Sequence, residues 1–253
     1  MPQAETKAPA FSVVIPALNE AESIAGLLQR IDAALEGRSY EIIVVDDGSE
    51  DDTGAQVQAG PAHWRLLSHD ARGGQSAAIH SGVAAARAPL IVTLDADGQN
   101  PPEEIPKLLA AWEARAADPA LGLIAGQRVK RQDTLAKRWA SRAANTIRSA
   151  ALKDGTRDTG CGLKIFRKDV FLELPFFNHM HRYLPALVAR AGYEVGHVDV
   201  AHAHREAGAS KYTNLQRALV GAVDLLGVMW LLRRRKAARA TEITRADREE
   251  TKS

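Results

Sequence analysis

Short runs of β-branched residues alternate with stretches of helical periodicity along the first half of the chain. Runs rich in Val, Ile and Leu predict buried strands, whereas apolar residues three and four positions apart predict amphipathic helices. Strands that alternate with helices indicate a parallel sheet covered on both faces. The predicted strands are 11–15, 41–45, 64–67 and 90–94, and the predicted helices are 21–35, 75–87 and 103–115.

The pattern becomes less regular after about residue 120. No linker rich in Pro, Gly or Ser divides the chain, which favours one α/β domain over residues 11–214 with an N-terminal tail over residues 1–10. An apolar and basic segment, 215–236, and a polar tail, 237–253, complete the predicted organisation. The further predicted strands are 121–125, 163–166 and 193–200, and the further predicted helices are 135–152 and 181–191.

Composition and charge exclude several classes of protein. The 253 residues include 33 Lys and Arg against 31 Asp and Glu, and this near balance argues against bulk nucleic-acid binding. A hydrophobic content of 45% argues against disorder and against a protein with many membrane spans. The single cysteine, Cys161, excludes an intramolecular disulfide and fits a reducing compartment. The first residues carry no signal-peptide pattern.

Acidic and amide side chains follow three of the predicted strands, at 19–20, 46–47 and 95–97. Ligands of open α/β sheets bind at the carboxyl ends of the strands, although such residues also cap helices. Two carboxylates two residues apart, Asp95 and Asp97, can share one divalent cation. Because Mg²⁺ prefers one or two carboxylates completed by phosphate oxygens and water, this pair predicts a metal–diphosphate site for Mg²⁺ or Mn²⁺.

The order of these motifs resembles that of family 2 glycosyltransferases with the GT-A fold. Within the family, the chain is most similar to polyprenyl-phosphate sugar synthases, such as those that use dolichyl or undecaprenyl phosphate. The resemblance covers roughly residues 11–232. It implies a mostly parallel central sheet with helices on both faces. The residues that carry the resemblance are 13–20, 44–49, 95–103, Arg205, Gly208, Ser210, Lys211 and Tyr212.

The resemblance implies a donor site for a nucleotide sugar. Asp47 matches a base-contacting position, and because its carboxylate suits the ring N–H of uracil or guanine, both UDP- and GDP-sugars remain open. Arg205 and Lys211 match a loop that closes over the nucleotide and offsets charge on the leaving diphosphate. For Val45 and Leu18, core packing is the alternative. The implied nucleotide-sugar residues are Pro16, Leu18, Glu20, Val45, Asp47, Asp95, Ala96, Asp97, Gln99, Arg205 and Lys211.

The resemblance also implies an acceptor site. Arg128, Arg138 and Ser141 match positions associated with the lipid phosphate, although a solvated basic face is the alternative for the predicted helix. Asp158 matches an acceptor-side aspartate that can act as a general base. Because a monophosphate is already ionised at pH 7 and needs little help from a base, Asp158 can instead orient an arginine or sugar hydroxyls. The implied catalytic set is Asp97, Asp158, Arg205 and Lys211. Residues 72–76 are interpreted as a structural turn that packs a helix close to the sheet.

The implied activity is transfer of a sugar, with inversion, from a nucleoside-diphosphate sugar to a polyprenyl phosphate. The product would be a lipid-linked sugar donor for cell-envelope glycans or lipid A modification. A transferase with a soluble or saccharide acceptor and a non-catalytic module that binds a nucleotide sugar or a lipid are the alternatives. A dinucleotide oxidoreductase fits poorly because no G-x-G-x-x-G motif opens the first helix.

The apolar segment that ends at Leu232 is followed at once by the basic run 233–236. This pattern predicts an amphipathic, interfacial helix on anionic lipids at the cytoplasmic face of the cell membrane, in a peripheral or monotopic enzyme. A buried C-terminal helix with a basic cap is the alternative. Many bacterial members of the family carry two longer spanning helices, from which this chain departs. A downstream membrane glycosyltransferase or flippase is the expected recipient of the product.

Overall fold

The computed structural model describes residues 8–129, 148, 152, 154–203 and 214–234, with side chains described from residue 220 in the last range. The described residues form one seven-stranded sheet of order β3-β2-β1-β4-β6-β5-β7. β6 runs antiparallel to both of its neighbours, β4 and β5, whereas all other neighbouring pairs are parallel. The strands are β1 (Phe11–Ala17), β2 (Tyr40–Asp46), β3 (Trp64–Ser68), β4 (Leu90–Thr93), β5 (Leu121–Arg128), β6 (Lys164–Arg167) and β7 (Glu194–Val200).

The helices lie on both faces of this sheet. Two short 3-10 helices, Pro102–Glu104 and Met180–Tyr183, lead directly into longer helices. The α-helices of the described ranges are α1 (Ile24–Ala34), α2 (Thr53–Gln58), α3 (Gln75–Ala85), α4 (Ile105–Glu113), α5 (Lys168–Leu172), α6 (Leu184–Arg190) and α7 (Asn214–Arg233).

Two apolar cores flank the sheet, and the strand sequences explain why. β1, β2 and β4 are almost wholly buried, as continuous Val and Ile runs predict for parallel strands covered on both faces. One core packs α1, α2 and α4 against the sheet. The other core packs α3, α5, α6 and α7 against the opposite face. The predicted mostly parallel sheet with helices on both faces is therefore confirmed.

Two short helices, α2 and α5, were not predicted from the sequence. α2 has six residues and α5 has five, and neither is long enough to display an amphipathic repeat. Of the predicted helix 135–152, only Arg148 and Leu152 lie among the described residues. Every other predicted strand and helix has an observed counterpart, with ends that differ by a few residues.

α7 is held against the core by polar contacts as well as apolar ones. Asp224 pairs with the His179 imidazole at 2.9 Å, and Arg190 donates to the Leu231 carbonyl oxygen at 3.0 Å. The opposite side of the helix exposes Val223, Leu226 and Trp230, of which 60–69% is accessible. Among the helices that the structure describes, none is both long and apolar enough to cross a membrane.

Candidate active site

The loops after β1 and β2 interlock at the carboxyl edge of the sheet. Asn19 adopts a left-handed conformation (φ 57°), which a non-glycine residue rarely does and asparagine tolerates best. Its side-chain oxygen accepts a hydrogen bond from the Glu50 amide at 2.9 Å, and its own amide donates to the Ser49 hydroxyl at 2.9 Å. The Glu20 amide donates to the Thr53 hydroxyl at 2.8 Å. These bonds fix residues 16–20 as one wall of a cleft.

Asp47 anchors a second wall. Its carboxylate accepts hydrogen bonds from the Gly73 and Gly74 amides at 2.8 and 2.7 Å, and it contacts the His69 imidazole at 2.7 Å. The turn before α3 is thereby drawn to the edge of the sheet. Further along α3, a Cβ on Gly82 would lie 2.4 Å from Val14, so only glycine allows this close approach. The turn therefore precedes a helix that packs close to the sheet, and Arg72, Gly74 and Gln75 of this turn also line the cavity between the walls.

A cavity of about 280 Å³ lies between these walls and the end of β4. Seven of the eleven predicted nucleotide-sugar residues line it, and so do residues that were not among the predicted site residues. The most informative addition is Gln75, whose amide donates to Asp95 at 2.7 Å. The cavity is lined by Pro16, Ala17, Leu18, Glu20, Asp47, Arg72, Gly74, Gln75, Ala78, Asp95, Ala96 and Asp97.

The two carboxylates after β4 occupy different environments. Asp97 accepts a hydrogen bond from the Gln99 amide at 3.1 Å. Asp95 accepts from the side chains of Gln75 at 2.7 Å and Asn100 at 3.2 Å. Burial and then the neighbouring charge of Asp97 raise the pKa of Asp95 to about 6. Two negative charges held close together in this way attract a cation.

The residues at this edge fit a divalent cation that is shared with a diphosphate. Among the described parts of the chain, no group of three or more His, Cys, Asp or Glu side chains could enclose a metal ion. Asp95 and Asp97 supply two carboxylates on the cavity wall, which leaves further coordination positions for substrate oxygens and water. This is the donor set expected of a metal–diphosphate site rather than of a closed structural site.

A second cavity of about 380 Å³ adjoins the first and shares Gln75 and Asp95 with it. Its wall is richer in cationic side chains, because it contains Arg128, Lys164 and Arg182, whereas the wall of the first cavity contains Arg72. Arg128 lies there at the end of β5, with its side chain only 10% exposed. The cavity is lined by Gln75, Asp95, Arg128, Asp158, Thr159, Gly160, Cys161, Gly162, Lys164, His181 and Arg182.

Arg128 and Asp158 form a two-point ion pair inside this second cavity. The guanidinium donates to the two carboxylate oxygens at 2.5 and 2.9 Å, and the Gly160 amide donates to the same carboxylate at 3.1 Å. Burial opposes the charge of Arg128, but the contact with Asp158 dominates and raises the pKa of the guanidinium. The guanidinium of Arg128 is therefore held in its charged form.

Several predicted site residues stand apart from the cavities. Val45 has no exposed surface and packs in the apolar core between the sheet and α3. This is the packing role that was the alternative to contact with the nucleotide. Gln99 is absent from the lining of both cavities, and its carbonyl oxygen accepts a hydrogen bond from the Ala203 amide. The remaining predicted residues, Arg138, Ser141, Arg205 and Lys211, lie outside the described residues.

Two residues of the cavity walls, Arg72 and Gln75, fall in the turn that was interpreted as structural, and three others, Lys164, His181 and Arg182, were not among the predicted site residues. The glycine pair at 73–74 was a signal for the first two, because it marks a turn at the same edge of the sheet. No local signal marks the other three, which reach the second cavity only through tertiary packing.

Comparison with known proteins identifies the family. The model of "Glycosyl transferase family 2" matches residues 12–174, more than half of the chain. The chain belongs to this family. The predicted family membership is thus confirmed.

The curated relatives of this family 2 chain include sugar transferases named for polyprenyl phosphates. A "Dodecaprenyl-phosphate galacturonate synthase" of Rhizobium johnstonii is 35% identical over 88% of the chain and 67% of the relative. An "Undecaprenyl-phosphate 4-deoxy-4-formamido-L-arabinose transferase" of Klebsiella pneumoniae is 36% identical over 80% of the chain and 62% of the relative. The corresponding Pseudomonas aeruginosa protein is 37% identical over 81% of the chain and 61% of the relative. The chain therefore spans about two thirds or less of the length of these relatives.

Solved structures support the fold of this family 2 chain. Glucosyl-3-phosphoglycerate synthase from Mycobacterium tuberculosis, in a complex with Mn²⁺, UDP and glucosyl-3-phosphoglycerate, matches with a TM-score of 0.65 at 19% identity. The match covers 88% of this chain and 80% of the synthase. The same enzyme with Mg²⁺ and UDP also gives a TM-score of 0.65 at 19% identity, over 88% of this chain and 79% of that one. The predicted GT-A fold is confirmed by these neighbours.

The raised pKa of Asp95 predicts how stability depends on pH. Because the native state holds the Asp95 proton more tightly than the unfolded chain does, ionisation costs stability as the pH rises from about 4 through about 6. In the absence of a metal ion, we expect Asp95→Asn to raise the free energy of unfolding by about 1–2 kcal/mol at pH 8. The gain should become small towards pH 4, where Asp95 is protonated in the native state and about half protonated in the unfolded chain.

Denaturant unfolding at pH 4, 6 and 8, with and without Mn²⁺, checks this expectation. Mn²⁺ should stabilise the unmodified chain at pH 8 and have little effect on Asp95→Asn, because the variant lacks one of the two carboxylates. A variant that is less stable than the unmodified chain at pH 8 without metal would contradict the account of Asp95.

Proposed function

We propose that this chain transfers a sugar from a nucleoside-diphosphate sugar to a polyprenyl phosphate, with inversion at the anomeric carbon. The observation that carries the proposal is the pair of adjoining cavities, one rimmed by Asp95 and Asp97 and the other walled by Arg128, Lys164 and Arg182. The shared residues Gln75 and Asp95 mark the place where a donor and an acceptor would meet. The names of the curated relatives support the same reaction class.

The first cavity accounts for the donor. A nucleoside diphosphate would extend from the loop 16–20 and Asp47 towards Asp95 and Asp97. A divalent cation bound by these two carboxylates would neutralise charge on the leaving diphosphate, and Mn²⁺ and Mg²⁺ are both present in structures of the UDP-binding neighbour. UDP- and GDP-sugars remain open as donors. Arg205 and Lys211 keep their proposed role in closing over the nucleotide.

The second cavity would bind the acceptor phosphate and place it for attack on the donor sugar. An oxygen of the lipid phosphate would form the new bond to the anomeric carbon, while the bond from that carbon to the diphosphate oxygen breaks and the nucleoside diphosphate leaves. Arg128 would receive the phosphate together with Arg138 and Ser141, because guanidinium groups suit phosphate oxygens. Catalysis would then depend mainly on positioning and charge compensation.

Asp158 fits a positioning role better than that of a general base. A carboxylate with both oxygens bound to the Arg128 guanidinium is stabilised in its charged form and is a weak proton acceptor. A lipid monophosphate is largely ionised at pH 7 and needs little help from a base. We therefore propose that Asp158 orients Arg128 towards the acceptor.

A donor screen tests the proposed function. The purified chain would be incubated with Mn²⁺ or Mg²⁺, a short-chain polyprenyl phosphate and a panel of UDP- and GDP-sugars. The panel would include galacturonate and 4-deoxy-4-formamido-L-arabinose donors, which the names of the relatives suggest. Mass spectrometry should detect a sugar-phosphate-lipid product from one donor, with stoichiometric release of the nucleoside diphosphate. Nucleotide release without a lipid product would contradict the proposal.

A soluble phosphorylated acceptor is the second candidate. The structural neighbour is named for a product made on phosphoglyceric acid, which is a water-soluble phosphate monoester. Such an acceptor would use the same cationic cavity but would not need a membrane surface. A module that binds a nucleotide sugar without turning it over is the third possibility, and the donor screen would reveal it as binding without product.

We also propose that α7 brings the enzyme to an anionic lipid surface on the cytoplasmic side of the membrane. Val223, Leu226 and Trp230 lie on one exposed stripe of the helix, and the Arg234 guanidinium lies 5.8 Å from the centre of the Trp230 ring. Exposed apolar side chains beside basic residues are typical of helices that lie in the plane of a membrane. The lipid-linked product would then pass to a membrane glycosyltransferase or flippase.

Replacement of this stripe should weaken lipid binding. For the double variant Leu226→Ser/Trp230→Ser, we expect about a tenfold or greater loss of partition onto vesicles that contain anionic lipid, because both side chains are exposed and contribute apolar area. Vesicle co-sedimentation measures the effect. Leu172→Ser is the matched control, because it removes an exposed leucine of α5. Equal partition of the double variant and the unmodified chain would contradict the membrane role of α7.

A further inference from the structure

Lys164 is a buried cation in the wall of the second cavity, and no contact with a substrate has yet been assigned to it. It is the first residue of β6, the one antiparallel strand, and only 4% of the residue is exposed. Burial of an ammonium group is costly unless hydrogen bonds and opposite charges compensate for it. A protein keeps such a group most readily where it contacts a ligand.

The hydrogen bonds of Lys164 leave donors available. An ammonium group has three N–H donors, and within the described ranges the Lys164 ammonium donates only to the Cys161 carbonyl oxygen. Its side chain is part of the wall of the second cavity and is absent from the wall of the first. The remaining donors are therefore placed to serve a ligand on the acceptor side.

The charges around Lys164 place it between the two halves of the site. Burial lowers the pKa of Lys164 below its ordinary value, and the nearby carboxylates of Asp95 and Asp158 offset this effect only in part. Lys164 thus lies within electrostatic reach of a carboxylate at the donor cavity and of the ion pair in the acceptor cavity. A phosphate oxygen that attacks at the junction of the two cavities would pass close to this ammonium.

Two of the five N–H donors of Arg128 bind Asp158, which leaves three for an anion in the cavity. The Lys164 ammonium adds a second buried cation to the same wall, and a phosphate has enough acceptor oxygens to bind both groups. We propose that the Lys164 ammonium donates a hydrogen bond directly to the phosphate of the acceptor and holds the attacking oxygen beside the donor sugar. This inference rests on the proposed transfer to a lipid phosphate.

Neutral variants of Lys164 test the inference on the full-length chain. Lys164→Gln keeps a donor for the Cys161 carbonyl oxygen and removes the charge, whereas Lys164→Met removes both. We expect KM for a short-chain polyprenyl phosphate to rise by about 10- to 100-fold in both variants, because a charge-assisted hydrogen bond to the phosphate is lost. The Mn²⁺-dependent affinity for the nucleoside diphosphate should change by less than about threefold.

Lys168 offers a matched control. Its ammonium also donates to backbone carbonyl oxygens, those of Ala84 and Ala86, but it is absent from the walls of both cavities. Lys168→Gln should leave unchanged both the KM for the polyprenyl phosphate and the Mn²⁺-dependent affinity for the nucleoside diphosphate. A rise in the acceptor KM that is equal in the two glutamine variants would overturn the inference.

Competition between a prenyl phosphate and the matching prenyl alcohol separates ligand binding from a structural role. The unmodified chain should prefer the phosphate over the alcohol, and Lys164→Gln should lose most of that preference. Loss of affinity for both compounds alike would indicate a structural role and overturn the inference. If the defect of Lys164→Gln appeared only with donors that carry a carboxylated sugar, Lys164 would contact the sugar instead of the acceptor phosphate. That result would also overturn the inference.

Reductive methylation of the unmodified chain tests the contact without any substitution. The prenyl phosphate should protect Lys164 from methylation, the prenyl alcohol should not, and neither should protect Lys168. Equal labelling of Lys164 with and without the phosphate would overturn the inference even if the variants fail to fold.

If the unmodified chain makes no lipid product, the proposed function fails. If it makes product and the acceptor KM of Lys164→Gln is unchanged, only the role of Lys164 fails.

Discussion

Asp97→Asn should lower turnover by about 1,000-fold or more while leaving the fold intact. The substitution removes one of the two carboxylates on the wall of the first cavity, and removal of a charged metal ligand costs several kcal/mol of transition-state stabilisation. An asparagine oxygen can still accept the hydrogen bond that the Gln99 amide gives to Asp97, so the turn should persist. Nucleoside diphosphate release measures turnover.

The same variant should uncouple nucleotide binding from the metal. Mn²⁺ should strengthen binding of UDP or GDP to the unmodified chain and have little effect on Asp97→Asn. Asp70→Asn is the control, because Asp70 is an exposed acid that follows β3 and lies outside both cavity walls. Turnover of Asp97→Asn within about tenfold of the unmodified chain would contradict the assignment of Asp97.

Gly162→Ala should impair the site although glycine itself carries no chemistry. A Cβ at this position would lie 2.2 Å from the nearest Asp95 carboxylate oxygen, and the Gly162 carbonyl oxygen is held by the Thr93 hydroxyl at 2.7 Å. Because the backbone is fixed, the carboxylate must move. We expect about a 100-fold loss of turnover with weaker Mn²⁺ binding, since small displacements of catalytic groups have effects of this size.

A double-mutant cycle tests whether the effect of Gly162→Ala acts through Asp95. In an Asp95→Asn background, the alanine should cost little further activity. Equal losses in the two backgrounds would contradict the proposed clash. Gly26→Ala is the control, because Gly26 lies in α1 with open space around its missing Cβ, and alanine there should stabilise the chain by up to about 1 kcal/mol.

The carboxyl edge of the sheet could be predicted from the sequence because it depends on local signals. β1, β2 and β4 are continuous apolar runs, and parallel strands bring the residues that follow them to one edge. Asp47, Asp95 and Asp97 therefore lie together in the first cavity, as the spacing of the motifs predicts. The family resemblance supplied the roles of these residues, which periodicity alone does not give.

The second cavity could not be predicted in the same way. It depends on β6, which the sequence predicts as a strand. Nothing in its four residues indicates that it inserts between β4 and β5 in the antiparallel direction. This insertion brings Lys164 and Gly162 to Asp95, some 70 positions earlier in the chain. The ion pair of Arg128 and Asp158 likewise joins residues 30 positions apart. Such contacts follow from topology, so the sequence named Arg128 and Asp158 separately without predicting that they pair.

An acceptor competition tests the central claim most directly. The unmodified chain would receive Mn²⁺, the donor identified in the screen, and equal concentrations of a short-chain polyprenyl phosphate and phosphoglyceric acid. Mass spectrometry of the products would show which phosphate compound carries the sugar. The account predicts that the sugar is joined to the lipid phosphate and that phosphoglyceric acid stays unmodified. Sugar on phosphoglyceric acid, with the lipid phosphate unchanged, would contradict it.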